Sequence, residues 1–450
     1  MGNIFIIYLG KLLVYSSRLL NLGQGSTWPG HLALNLNKNF IKDIVNQNPN
    51  LKIILIAGTN GKTTTGKLIQ TILEKNGEKV FQNEAGANLT NGIASSLLLH
   101  SNILSTIHYN YAIFEVDEAT LPLVLNEISP DYLILLNLFR DQLDRYGEVN
   151  MVAEKWRRSL EKLTKKTRLI LNADDPQIAF LGLSQGGASI PPLRWIAKRW
   201  KDNTFFFGLD NKKLITSSSQ HASDSTYCPN CSSKLHYDSI YFSHLGDWKC
   251  NNCGLKRPKL DISEYSYYPL SGIYNRYNTL AAVLLAKRLG IQQKRINSAL
   301  HEFKPAFGRQ EILRVKNKNI QIFLSKNPTS FNESLRTISD LKAQNLLFVL
   351  NDRIPDGTDT SWIWDVDFED FVYQFKYIII SGDRALDLGL RLKYCGKPII
   401  HDSQLIIQED LKNSILFGLN KTLKSETLYI LPTYSAMLEV RKILTGKKIL

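Results

Sequence analysis

Residues Ala57–Thr65, AGTNGKTTT, lie between an apolar run and a segment of helical composition. A phosphate-binding loop belongs at such a junction. Its glycines permit a tight turn, its backbone N–H groups point at phosphate oxygens, a lysine adds charge and a hydroxyl reaches a magnesium ion. Gly58, Thr59, Asn60, Gly61, Lys62, Thr63 and Thr64 are therefore the candidate nucleotide-binding residues, with Thr63 also a candidate Mg2+ ligand. The common form of the loop has a further glycine ahead of this core, where this chain has Ile56. Glu115, in FEVDEA, closes the next apolar run, where an open parallel sheet presents ligands, and is the second candidate Mg2+ ligand. The alternative use of acids here is to cap the next helix, which suits Asp117 or Glu118 better. LNLFRDQLDRYG and LNADDP place more amides and carboxylates after strands, as a magnesium–nucleotide site requires, though each also suits a turn.

Cys228, Cys231, Cys250 and Cys253 form CPNC and CNNC pairs with the spacing of a four-cysteine zinc ribbon. Four thiolates fill a tetrahedral Zn2+ site and leave no open position, so the expected role is structural. The fifth cysteine, Cys395, stands alone, and the set is not a disulfide framework; a reducing cytoplasm fits it. A second acidic cluster, NDRIPDGTDTSWIWD at 351–365, follows the apolar NLLFVL. Turn formation and helix capping account for some of its aspartates, with Asp359 suited to a cap before TSWIW.

These residues need a scaffold. LKIILIAG, YAIFEVD, YLILLNL and RLILNADD read as buried strands alternating with helical segments, which implies a parallel sheet covered on both faces. GQGSTWPG at 23–30 reads as a break ending an N-terminal helical region. NIQIFLSKNP, NLLFVLN, YIIISGD, KPIIHD and ETLYILPTY repeat the strand-then-loop rhythm as a second, smaller α/β unit. The expected division is an N-terminal helical segment at 1–45, an α/β nucleotide-binding domain at 46–315 with the cysteine insertion at about 215–260, and an α/β domain at 316–450.

The net charge of +14 favours phosphate-bearing partners, and the 44% hydrophobic content is ordinary for a globular chain. IFIIYLGKLLVYSSRLL is interrupted by Lys11 and Arg18, so it reads as an amphipathic helix that docks on the body or rests on a membrane surface, not as a span or signal peptide.

AGTNGKTTT, NADDP, GIYNRYNTLAA and FGRQE, in this order, resemble the Mur ligase superfamily, ATP-dependent enzymes that form amides through an acyl phosphate. GQGSTWPG, the cysteine insertion, LSKNP, DGTDTSWIWD and SGDRALDLGLRLKYCG are similar to a branch of it that works with a glutamine amidotransferase. The resemblance implies that Gly58, Asn60, Gly61, Lys62 and Thr63 hold the ATP phosphates. It places Mg2+ at Thr63 and Glu115, with Lys62 and Glu115 serving the chemistry. Asn275, with Asn278 beside it, would reach the adenine, Arg309 a phosphate, and Lys326 and Asn327 would face the site. Gln142 stands where many members carry histidine, and Lys155 lies near where many carry a carbamylated lysine; an exposed helix lysine is the other reading of Lys155. The implied reaction amidates the α-carboxylate of D-glutamate in lipid II, with ammonia from a GatD-type glutamine amidotransferase. That partner would borrow its orienting carboxylate from this chain. Asp356, on the PDG turn at the subunit face, is the expected donor, with Asp352 and Asp359 in reserve. The competing readings are a conventional Mur or folylpolyglutamate-type ligase that adds an amino acid, and a basic zinc-ribbon protein binding nucleic acid. The last gives no reason for the Asn275 and Arg309 motifs, so no nucleic-acid partner is expected.

Overall fold

The computed structural model describes residues 2–19, 27–83, 86–102, 104–140, 149–164, 166–183, 202–216, 223–395 and 404–446. β1 (Lys52–Ala57), β2 (Val80–Gln82), β3 (Tyr111–Val116), β4 (Tyr132–Leu135), β5 (Arg168–Asn172) and β6 (Thr204–Phe207) form a sheet ordered β2-β3-β1-β4-β5-β6. Every pair in it is parallel. Strand periodicity explains the unbroken apolar runs. Ile53, Leu55 and Ala57 of β1 enter one core and Ile54 and Ile56 the other, so both faces are buried.

The first core is closed by α1 (Asn3–Leu19), α2 (Trp28–Leu36), α3 (Phe40–Gln47), α5 (Thr90–His100), α6 (Leu121–Glu127), α7 (Val149–Leu160) and α8 (Pro176–Gly182). The second is closed by α4 (Lys62–Lys75), α9 (Ile273–Arg288) and α10 (Gln293–His301). Ile6, Ile7, Ala33, Phe40, Ile41 and Ile44 belong to the first core, so the N-terminal helices dock on the body as part of this layer. The expected break at 23–30 is corrected at its end. Trp28 opens α2 with Pro29 in the first turn, where a missing N–H costs nothing. Gly30 is required because a Cβ there would lie 1.9 Å from the Asn91 carbonyl oxygen of α5. The opposite side of α1 leaves Phe5, Tyr8, Leu12 and Tyr15 exposed, and Trp28 is 72% exposed.

The second sheet is ordered β13-β12-β11-β14-β10-β9, from β9 (Arg309–Val315), β10 (Lys318–Phe323), β11 (Asn345–Val349), β12 (Tyr377–Ser381), β13 (Leu405–Ile407) and β14 (Thr427–Pro432). It is parallel except for the β9–β10 hairpin. Lys316 and Asn317 turn that hairpin with φ of 49° and 59°, the left-handed conformation a two-residue turn favours. A division at 315/316 would cut this turn, so the second unit takes in β9. α11 (Pro328–Asp340), α12 (Ala385–Lys393), α13 (Leu411–Lys421) and α14 (Tyr434–Thr445) cover the sheet. The KPIIHD segment lies outside the described residues, and β13 follows it.

β7 (His236–Phe242) and β8 (Leu245–Lys249) form a separate antiparallel hairpin, and the cysteines flank it. The insertion packs on the first domain. Tyr241, Phe242 and Leu245 enter the second core, Trp248 Nε1 donates to the Ala173 carbonyl at 3.0 Å, and Gly246 N donates to the Asp174 carbonyl at 3.1 Å.

Candidate active site

β1 delivers the loop, and α4 begins at Lys62, so the first-turn N–H groups of α4 face the space beyond the strand ends. Gly58 and Gly61 have φ of 140° and 93°, and a Cβ on Gly61 would lie 2.1 Å from Asn278 Oδ1. Both are positions for glycine alone. Asn137, after β4, clamps the loop: its Oδ1 accepts from Asn60 N at 2.9 Å, and its Nδ2 donates to the Asn60 carbonyl at 3.0 Å. Thr59 Oγ1 accepts from Phe139 N at 3.0 Å.

Lys62 is buried. Its Nζ donates to the Gly58 and Thr59 carbonyls and pairs with Glu118 at 3.4 Å. Burial alone would raise the Glu118 pKa, but the charges of Lys62 and Lys326 outweigh it and hold the carboxyl below its usual value. Thr63 Oγ1 donates to Glu115 Oε2 at 2.7 Å, and Arg309 approaches Thr63 Oγ1 at 3.4 Å. Glu115 is pushed up by burial, with Thr63, Arg309 and Lys62 opposing. A cation between Thr63 and Glu115 would supply what this carboxylate lacks, so the donor set fits Mg2+. Neither Asp117 nor Glu118 caps α6, whose N-cap is Thr120; Asp117 accepts from Ala119 N at 3.1 Å in a local turn.

Asn275 and Asn278 are buried side by side, the Asn278 Nδ2 donating to Asn275 Oδ1 at 3.0 Å. Gln310, with φ of 61°, donates to the Ser271 carbonyl and the Tyr274 hydroxyl, holding the Arg309 strand against α9. Asn327 caps α11 and lies 3.3 Å from Asn60 across the two sheets. The result is a cleft of about 420 Å³ lined by the loop, Glu115, Asn275, Asn278 and Arg309, with Lys326, Ser330, Glu333 and Tyr434 from the second unit. Sequence reasoning did not single out Phe139, Phe242, Tyr274 and Tyr277, which also line it; aromatic residues in such segments read as ordinary core.

Other expected residues fall elsewhere. Asp174 and Asp175 of NADDP are buried structural groups. Asp174 accepts from Tyr277 at 2.6 Å and pairs with Arg257 at 2.7 Å. Burial pushes its pKa up to about 6, with Arg257 and Tyr277 pulling down. Asp175 caps α8. Lys155 is exposed on α7 and does not line the cleft, and Gln142 lies outside the described residues.

Asp356, expected at a surface, is 4% exposed: Ser435 N donates to its Oδ1 at 2.8 Å and the Ser435 hydroxyl to its Oδ2. It anchors the PDG turn to the start of α14. Asp359 is exposed and accepts from Ser361 N at 2.8 Å, while Asp352 pairs with Arg384 at 3.4 Å.

The Sγ atoms of Cys228, Cys231, Cys250 and Cys253 all lie within 4.8 Å of one another, with no other group of metal-ligating side chains found among the described residues. Thiolates around one zinc ion sit at roughly 3.8 Å from each other, given Zn–S bonds near 2.3 Å. The observed 3.6 Å and 3.5 Å pairs fit that geometry.

A parallel sheet with a phosphate-type loop, joined to a second α/β unit across one cleft, is the architecture of the Mur ligases. A pseudomurein peptide ligase type C from Methanothermus fervidus superposes with a TM-score of 0.64 at 22% identity, covering 90% of this chain and 81% of that one. MurF from Acinetobacter baumannii gives 0.59 at 17% identity over 90% and 78%. Residues 56–190 match the Mur ligase middle domain and residues 324–437 the MurT ligase C-terminal domain. The Lipid II isoglutaminyl synthase (glutamine-hydrolyzing) subunit MurT of Staphylococcus aureus (strain COL) is 32% identical over 423 residues, 90% of each chain. The protein of the same description from Streptococcus pneumoniae (strain ATCC BAA-255 / R6) is 32% identical over 98% of this chain and 97% of its own. The chain belongs to the MurT family of Mur-type ligases.

Proposed function

We propose that this chain is the ATP-dependent subunit of a lipid II isoglutaminyl synthase. In this reading ATP phosphorylates the α-carboxylate of D-glutamate in the lipid II stem peptide. Ammonia then attacks the acyl carbon, phosphate leaves, and D-isoglutamine, ADP and phosphate result. Glutamine hydrolysis by a GatD-type partner supplies the ammonia. The observation that carries the reading is the convergence of Lys62, Thr63, Glu115 and Arg309 in one cleft bridged by both α/β units.

In this assignment the loop N–H groups and Lys62 hold the phosphates, and Arg309 faces a phosphate oxygen from the other sheet. Mg2+, bound at Thr63 and Glu115, would neutralise charge on the transferring group. Asn275 and Asn278 lie against the base. The four cysteines hold Zn2+ structurally. The exposed face of α1 rests on the membrane that carries the substrate. The partner's orienting carboxylate is assigned to Asp359, which is exposed, in place of Asp356, whose oxygens are occupied by Ser435. Such a carboxylate fixes the tautomer of a catalytic imidazole.

The test is reconstitution with a GatD-type glutamine amidotransferase, measuring ADP release and amidated lipid II. Glutamine and free ammonia should both support the reaction. ADP release that requires a free amino acid and ignores glutamine and ammonia would instead identify a conventional amino-acid-adding ligase.

A further inference from the structure

Phe242 ends β7 at the turn of the two-stranded hairpin, and the cysteine cluster sits at the hairpin's opposite end. The turn reaches the nucleotide cleft. Phe242 lines it with Phe139 and Tyr277, three rings from three separate parts of the chain. The Phe139 and Phe242 centroids are 5.9 Å apart, and Phe242 meets Tyr277 edge-on at 5.6 Å. A wall of this kind, with Asn278 nearby on α9, suits a flat purine base and gives nothing to a phosphate.

The hairpin pairs with no other strand of the described residues, and its ladder is irregular at Tyr237/Ser239 and Ile240/Phe242. A two-stranded ribbon is marginal by itself. Tyr241, Leu245 and Gly246 hold its turn end on the body, and Trp248, which packs with Cys228 and Cys250 in one small core and donates to the Ala173 carbonyl, ties its other end to the cysteine cluster. The packing thus runs from the cysteine cluster through Trp248 and the hairpin to Phe242.

We infer that Phe242 contacts the nucleotide base, and that metal binding by the four cysteines sets base affinity through the β7–β8 hairpin. The inference rests on the nucleotide and zinc assignments above. It makes the ribbon part of substrate recognition as well as of stability.

Calorimetry on the full chain, with ADP and with inorganic tripolyphosphate as probes, tests it. Phe242→Ala should weaken ADP binding about tenfold, the loss expected for one stacked base, while tripolyphosphate binding and one zinc per chain are retained. Phe242→Tyr should restore ADP affinity. Trp248→Phe, which removes the bond to Ala173, and zinc-stripped protein that remains folded by circular dichroism should show the same selective loss. Phe242→Ala should add little in the stripped protein. Unchanged ADP affinity in Phe242→Ala, or equal loss of both probes, would overturn the base contact. Undiminished ADP binding by folded, zinc-stripped protein and by Trp248→Phe would overturn the coupling. A wild-type chain that binds neither probe would refute the nucleotide assignment itself, and this inference with it.

Discussion

Lys62 is the residue on which the proposed chemistry most depends. It is buried and held by loop carbonyls and Glu118, so its ammonium is already oriented before any phosphate arrives. A preorganised cation stabilises developing charge without reorganising. Lys62→Ala should lower ATP turnover at least about a hundredfold with little change in melting temperature, and near-normal turnover would remove the loop from the mechanism. The acids of the 351–365 loop separate by environment. Asp359→Asn should cut glutamine-dependent amidation severely while sparing ammonia-dependent amidation and complex formation. Equal loss of both activities would place Asp359 in service of the ligase cleft. Asp174→Asn should act chiefly on stability, because it leaves the buried Arg257 guanidinium with only the more distant Asp247 at 3.9 Å as counter-charge. Removing one partner of a buried pair costs about 3–5 kcal/mol, so chemical denaturation should read a large loss.

At the scale of elements, two devices hold the site in register, one carboxylate anchor and one cysteine hairpin. Asp356 fastens the acidic loop to the first turn of α14 through Ser435. Asp356→Ala should cost about 1–2 kcal/mol, as loss of a helix cap with buried hydrogen bonds does, and a melting temperature equal to wild type would contradict that role. The cysteine hairpin is the second device. Purified chain should carry about one zinc ion, and Cys228→Ser should lose metal and stability more than it loses chemistry at saturating ATP. Metal analysis showing no zinc in fresh, reduced protein would remove the ribbon.

For the whole molecule, the cleft exists only because two sheets meet. Lys326, Ser330 and Tyr434 come from the second unit, and Asn327 faces Asn60 across the junction. The far surface carries a different feature. No Asp or Glu occurs in the first 42 residues, and α1 turns Phe5, Tyr8, Leu12 and Tyr15 outward. No described helix is long and apolar enough to cross a membrane. An aromatic, acid-free face of this kind suits the interface of an anionic bilayer. The protein should sediment with vesicles containing anionic phospholipid, and Phe5→Ser with Leu12→Ser should release it. Wild-type protein left in the supernatant would leave α1 without a membrane role.

Local pattern was enough for several features. β1, β3, β4 and β5 are legible because strands buried on both faces must be apolar throughout, and a loop that wraps phosphate needs glycine where φ is positive, as at Gly58 and Gly61. The cysteine spacing likewise declared one cluster, since ligand spacing is a local property. What the sequence could not decide were matters of which surface each residue ended up facing. Asp356 and Asp359 are three positions apart in one acidic loop, yet packing of α14 buries the first and leaves the second in solvent. Phe242 and Tyr277 read as ordinary core aromatics until the hairpin and α9 converge on the cleft. β9 reads as the end of one domain until its hydrogen bonds place it in the other. Burial and long-range pairing are set by elements distant in the chain, and only the tertiary structure brings those elements together.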